Sequence, residues 1–169
     1  MQSNIISSPE LASQGHQKIE WVRRNMPILS QLEDQFAQQL PFVGKRVTVC
    51  IHLEAKTAYL ALVLRAGGAT VSVTGSNPES TKDDVVAALA AEELHVYARH
   101  GASPEEMRRY MSIALELEPH VVIDDGGDLV ELLHESQRQH GEQMLGACEE
   151  TTSGVCLLYT SPSPRDWLQ

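Results

Sequence analysis

Aromatic residues make up only 5% of this 169-residue chain, and there are three cysteines. So few aromatics argue against the stacking platforms that bind single-stranded nucleic acid. Cys50, Cys148 and Cys156 are too few and too scattered for a disulfide framework or a zinc site. The thiols are therefore read as reduced and the protein as cytoplasmic. Basic residues are also sparse: 13 against 23 acidic residues, a net charge of −10 with no Lys/Arg-rich block. That balance excludes nucleic acid as a natural partner. No apolar run approaches the roughly 20 residues of a membrane span. The opening "MQSNIISSPELASQGHQ" has neither the charged start nor the apolar stretch of a signal peptide. His95, His100, His134 and His140 lack ligand spacing, so no metal site is expected.

What is present is a globular composition, 42% hydrophobic and 21% charged, of a length that suits one domain. Leu11, Ile19 and Val22 predict a helix over 9–25, which Pro27 breaks by disfavouring helical backbone at Met26. Ile28, Leu29, Leu32, Phe36 and Leu40 predict a second. Strands are predicted at 47–53, 69–75, 94–100, 120–124 and 143–148, where β-branched and apolar residues cluster. Helices fall between them, at 54–68, 80–92, 103–119 and 129–141. Ser80 or Thr81 is the cap candidate for one of these, and Ser103 with Pro104 for the next. Strands alternating with helices imply right-handed βαβ units and a parallel sheet covered on both faces. The expected fold is α/β, a three-layer doubly wound sheet of flavodoxin-like or Rossmann-like type with two leading helices. Residues 1–8 are read as a flexible N-terminus and 9–155 as the domain.

Ligands of such sheets bind beyond the carboxyl ends of the strands, at the switch point. Polar groups collect on that edge: His52, Glu54 and Lys56 after the first strand, Ser76 and Asn77 after the second, Asp124 and Asp125 after the fourth, Glu149 and Glu150 after the fifth. In "HVVIDDGGDLVELLHE", Asp124 is positioned to bond nearby amides, Gly126-Gly127 to make a tight turn, and Asp128 to cap the next helix. Asp125 is then left to face the cleft, and two close carboxylates with separated pKa values suit proton transfer. The bland alternatives stay open. The Asp-Gly stretch also reads as a capping turn without chemistry, and His52 as a structural histidine at a strand end. Asn77-Pro78 reads as an ordinary turn, and "CEETTSG" as a solvated loop. Cys50 and Cys148 are read as core.

Four motifs, "CIHLEAKTA", "TGSNPESTKDD", "VIDDGGDL" and "CEETTSGV", resemble the S-adenosylhomocysteine hydrolase family in order and spacing. "WVRRNMPIL" resembles that family's first helices, and the likeness covers about residues 9–155. The resemblance implies NAD-dependent, reversible hydrolysis of S-adenosylhomocysteine to adenosine and homocysteine: hydride leaves the ribose 3′-carbon, the 3′-ketone acidifies the 4′-hydrogen, homocysteine departs from the 5′-carbon, water adds and the ketone is reduced back. By resemblance His52 and Asp125 handle protons, Glu150 bonds the ribose hydroxyls, Asn77 contacts substrate, and Thr151, Thr152 and Ser153 touch NAD. Ser153 replaces a usual threonine. Glu54 and Lys56 stand where many members carry a substrate-contacting threonine and a base-reading glutamate, as in a branch sharing "HLEAKTA". A lysine there suits S-inosylhomocysteine, giving inosine, if it meets the base; otherwise it pairs with Glu54. The family resembles a homotetramer.

The likeness is to the substrate-binding domain only. The family's catalytic lysine, its Asp-Asn pair and its dinucleotide domain are not among these residues, so the chain is expected to be inactive alone. After Val155, "CLLYTSPSPRDWLQ" departs from the pattern. Residues 156–169 are read as a tail foreign to the family, resembling translated adapter sequence, or else as a natural disordered tail. Two readings of other classes are a stand-alone nucleoside-binding or regulatory α/β domain and a ligand-free scaffold. A phosphoacceptor receiver needs an acidic pair after the first strand, where His52 stands.

Overall fold

Segments rich in Val, Ile and Thr leave neither face suited to water, and they form the middle of a sheet. The computed structural model describes residues 4–160. Its strands are β1 (Arg46–Ile51), β2 (Thr70–Gly75), β3 (His95–Tyr97), β4 (Val121–Asp124) and β5 (Gly146–Glu149). They pair in parallel in the order β3-β2-β1-β4-β5. The helices are α1 (Ala12–Asn25), α2 (Pro27–Gln39), α3 (Ala55–Ala66), α4 (Asp83–Ala91), α5 (Pro104–Leu115), α6 (Asp128–His134) and α7 (Thr152–Thr160). This is the expected Rossmann-like α/β architecture. No helix among the described residues is long and apolar enough to cross a membrane.

Two cores define the layers. On one face Val47, Val49, Val71 and Val73 pack with Ile19 and Val22 of α1 and with buried residues of α3 and α4. On the other, Cys50 and Val122 pack with Met107, Met111 and Leu115 around α5 and with Leu129 and Leu132 of α6. The leading helices belong to the first layer. α1 approaches α4 so closely that a Cβ on Gly15 would lie 1.9 Å from the Asp84 carbonyl oxygen. Glu33 of α2 accepts from Tyr59 Oη of α3 at 2.6 Å and from Arg23 Nη2 of α1 at 2.9 Å, which ties the three helices together.

The helix ends follow the sequence in part. Met26 leaves helical backbone before Pro27 at the first position of α2, as expected. Ser103 and Glu106 form a reciprocal capping box at α5, with Pro104 at its first position. α4 differs: its cap residue is Lys82, without a side-chain cap, and the Thr81 hydroxyl donates to the Asn77 carbonyl instead.

Three further expectations change. Asn4 and Ile5, read as part of a flexible start, run beside β3. The Asn4 amide bonds the Leu94 carbonyl and the Val96 N–H at 3.1 and 3.0 Å, and Ile5 bridges Tyr97. Backbone groups on the open edge of β3 need partners, and these residues supply them. Cys148 is exposed rather than core, because β5 is the edge strand and Gly146 to Cys148 are exposed. Finally, α7 continues through Thr160, past the expected boundary at Val155. The remainder of the 156–169 tail, and residues 1–3, lie outside the described residues.

Candidate functional site

The strand order reverses between β1 and β4, so the crevice beyond their carboxyl ends is where this topology places a ligand. His52 follows β1, Ser76 follows β2, and Asp124-Asp125 ends β4. Three of these side chains converge. Ser76 Oγ donates to Asp125 Oδ2 at 2.7 Å, and His52 Nε2 lies 3.5 Å from the same oxygen. That second distance is long for a hydrogen bond, so the contact is an ion pair when the imidazole is protonated. Asp125 is 9% exposed while the His52 ring is 51% exposed, so the pair sits at a mouth open to solvent. The His52 carbonyl is held by the Thr57 hydroxyl at 2.6 Å, which fixes the backbone that carries the ring.

Asp124 does the structural work. It is fully buried. Its Oδ1 accepts from Asp125 N at 3.1 Å, and its Oδ2 accepts from Leu129 N and Val130 N at 2.9 and 3.1 Å. It therefore caps α6 from the strand end. Asp128, the expected cap, is instead the first helical residue, and Gly127 with φ +82° is the cap position. Burial pushes the Asp124 carboxyl up to about 6, against the opposing pull of those amides. The two adjacent aspartates thus divide the work: Asp124 supports the turn and Asp125 faces the crevice.

Sequence reasoning missed Glu149, treating it only as a strand-end carboxylate. Its oxygens accept from Gly126 N at 2.7 Å, Gly127 N at 3.1 Å, Thr151 N at 3.0 Å and Thr151 Oγ1 at 2.6 Å. It staples the β4–α6 loop to the β5–α7 loop. Burial works against its charge, but the Thr151 hydroxyl and these amides hold the carboxyl below its usual range. Gly154 is packed on it; a Cβ there would lie 2.3 Å from the carboxylate. The signal available was a Glu beside two glycine-turn amides, which only the fold brings together.

The remaining candidates surround this group without all joining it. Glu150 is exposed, and its backbone N–H donates to the Asp124 carbonyl at 3.0 Å. Thr152 and Ser153 are exposed on the first turn of α7, whereas the Thr151 hydroxyl is engaged by Glu149 and by Gly154 N. The Asn77 side-chain oxygen accepts from Glu79 N at 2.9 Å, the ordinary turn left open by the sequence. Lys56 Nζ pairs with Glu54 Oε1 at 3.3 Å. Both line a cavity of about 660 Å³ shared with Gln17 and Trp21 of α1. A second cavity, of about 450 Å³, opens beside Ser76 between α5 and α6.

A parallel, Rossmann-like sheet with a His–Asp–Ser group at its switch point defines a small-molecule α/β domain of the enzyme-site kind. Residues 4–151 match the S-adenosyl-L-homocysteine hydrolase family, and the chain belongs to that family. It is 49% identical over 148 residues to an adenosylhomocysteinase of Pyrococcus abyssi, covering 88% of this chain and 35% of that relative. It is 43% identical over 148 residues to an S-inosyl-L-homocysteine hydrolase of Methanocaldococcus jannaschii, covering 88% of this chain and 36% of that relative. An adenosylhomocysteinase of Nostoc is 43% identical over 149 residues, 88% of this chain and 35% of the relative. The chain thus spans little more than a third of the length of these curated relatives.

Proposed function

We propose that residues 9–155 form the substrate-binding domain of an NAD-dependent hydrolase. It cleaves S-adenosylhomocysteine to adenosine and homocysteine. The observation that carries this reading is the convergence of His52 and Ser76 on one oxygen of Asp125 at the switch point. Breaking the 5′ thioether needs a proton for the departing sulfur and a base for the incoming water. His52 is open to solvent and within ion-pair reach of Asp125, so a proton can pass between the imidazole and the crevice. The Ser76 hydroxyl and the Asp124-supported turn hold Asp125 in place for that exchange. Glu150, exposed at the rim, offers acceptors to the ribose hydroxyls.

The hydroxyls of Thr152 and Ser153, exposed on the first turn of α7, fit the polar surface of a dinucleotide. Thr151, whose hydroxyl is already engaged, holds the loop that carries them. NAD, when bound, supplies reversible hydride acceptance at the ribose 3′-carbon. Turnover requires parts of the protein beyond this domain, and the working assembly is a cytoplasmic homotetramer.

A second substrate, S-inosylhomocysteine, is favoured by one observation: Glu54 and Lys56 present an acceptor and a donor 3.3 Å apart on one cavity wall. An ammonium donates only, and so suits a 6-oxo base; a carboxylate accepts, and so suits a 6-amino group. The test is thiol release from both substrates by the full-length gene product. His52→Asn and Asp125→Asn are each expected to lower kcat by about a hundredfold or more. Unchanged turnover in both variants overturns the assignment.

A further inference from the structure

The second cavity has no part in the chemistry assigned so far. It measures about 450 Å³, within the range of small-ligand sites. Ser76 forms part of its wall, and Ser76 Oγ bonds Asp125 at 2.7 Å, so the cavity opens directly beside the His52–Asp125 group. Met107 and Met111 of α5 and Leu132 of α6 line it with apolar surface. Charges of both signs share the same wall: Arg108 on α5, and Asp128 and Glu131 on α6.

We propose that this cavity is the subsite for the amino-acid portion of the substrate, an α-amino acid with a short sulfur-bearing side chain, which deepens the hydrolase reading and rests on it. An α-amino acid carries one carboxylate and one ammonium, and few small molecules need a cation and two anions around an apolar slot. The Arg108 guanidinium offers paired donors to the carboxylate. Asp128 and Glu131 offer only acceptors, which the ammonium requires. The thioethers of Met107 and Met111 are polarisable and flexible, suited to packing against methylenes and sulfur. Arg108 is not locked elsewhere. Its contact with Glu135 is 3.6 Å between side chains that are 59% and 57% exposed, a weak pair that an incoming carboxylate displaces. Burial, then the charges of Glu131, Asp125 and Glu149, push the Asp128 carboxyl up, and a seated ammonium relieves that repulsion. A substrate with its 5′ sulfur at the His52–Asp125 group therefore extends its amino-acid end past Ser76 into this slot.

The experiment titrates the 169-residue chain with L-homocysteine and with 3-aminopropanethiol, which lacks the carboxylate, reading amide shifts by NMR. Homocysteine is expected to move resonances at 76, 107–111 and 128–132. Arg108→Met should weaken homocysteine about tenfold or more and leave 3-aminopropanethiol unchanged, while Arg108→Lys retains part of the affinity. Shifts that map elsewhere, or equal homocysteine affinity in Arg108→Met, overturn the subsite. Arg108 is exposed, so both variants are expected to fold, and their amide spectra verify it. Adenosine is titrated separately. Adenosine binding near His52 without homocysteine binding here refutes the subsite alone; homocysteine binding here without adenosine binding retains the subsite and refutes the hydrolase reading.

Discussion

Replacing Asp124 by asparagine separates burial from hydrogen bonding at the turn that supports the site. The carboxylate is fully buried and accepts three backbone amides, from Asp125, Leu129 and Val130. Burial prevails, and the carboxyl is pushed up to about 6. A rise from the ordinary value near 4 to about 6 corresponds to about 3 kcal/mol. The folded state holds this proton more tightly than the unfolded state does. The associated stability is therefore complete below about pH 4 and is lost as pH rises through about 6. Asparagine does not titrate. Its NH2 group must face either the Asp125 amide or the Leu129–Val130 pair, donor against donor, at a cost of about 1–3 kcal/mol. The stability advantage of wild type over Asp124→Asn, measured by urea unfolding, should therefore shrink by about 3 kcal/mol between about pH 4 and about pH 7. An advantage that stays constant or grows with pH would mean that the amides outweigh burial, and the reasoning would be refuted.

Other perturbations test neighbouring parts. Gly15→Ala places a Cβ against the Asp84 carbonyl and should cost about 1–3 kcal/mol by forcing α1 off α4; an unchanged melting temperature contradicts that packing. Gly154→Ala displaces the Glu149 carboxylate, so amide exchange at Gly126 and Gly127 should accelerate, and unchanged protection there would mean Glu149 does not staple the loops. In the full-length gene product, Lys56→Glu should shift the ratio of S-inosylhomocysteine to S-adenosylhomocysteine hydrolysis toward the adenine substrate by about tenfold, and an unmoved ratio means Lys56 does not read the base. The 169-residue chain supplied with NAD should release no homocysteine from S-adenosylhomocysteine; measurable turnover refutes the proposal that catalysis needs more of the protein.

The alternation of strands and helices was legible because β-branched runs and helical spacing are local signals. So was the Ser103 box, whose partners lie three residues apart. Asp125 was legible as the crevice-facing acid for the same reason: it follows a buried strand. What was not legible depended on contacts between distant segments. Asp128 looked like the cap of α6, but Asp124 reaches past it, because a carboxylate at a strand end can point along the turn. Glu149 lies 23 residues from the Gly126 amide it holds, and no spacing rule connects them. Cys148 looked buried because β5 is apolar, yet its place at the sheet edge leaves it exposed. Asn4 gained order from the open edge of β3, which nothing near Asn4 in sequence announces.

The central claim is that the His52–Asp125 crevice receives a nucleoside. Its most direct test is an NMR titration of the isolated chain with adenosine and with inosine, alongside His52→Asn. Weak, saturable binding is expected, with shifts concentrated at residues 52–56, 75–77, 124–127 and 149–153 and strongly reduced in the variant. Saturable binding whose shifts map to another face, or no shifts at millimolar nucleoside, would contradict the account.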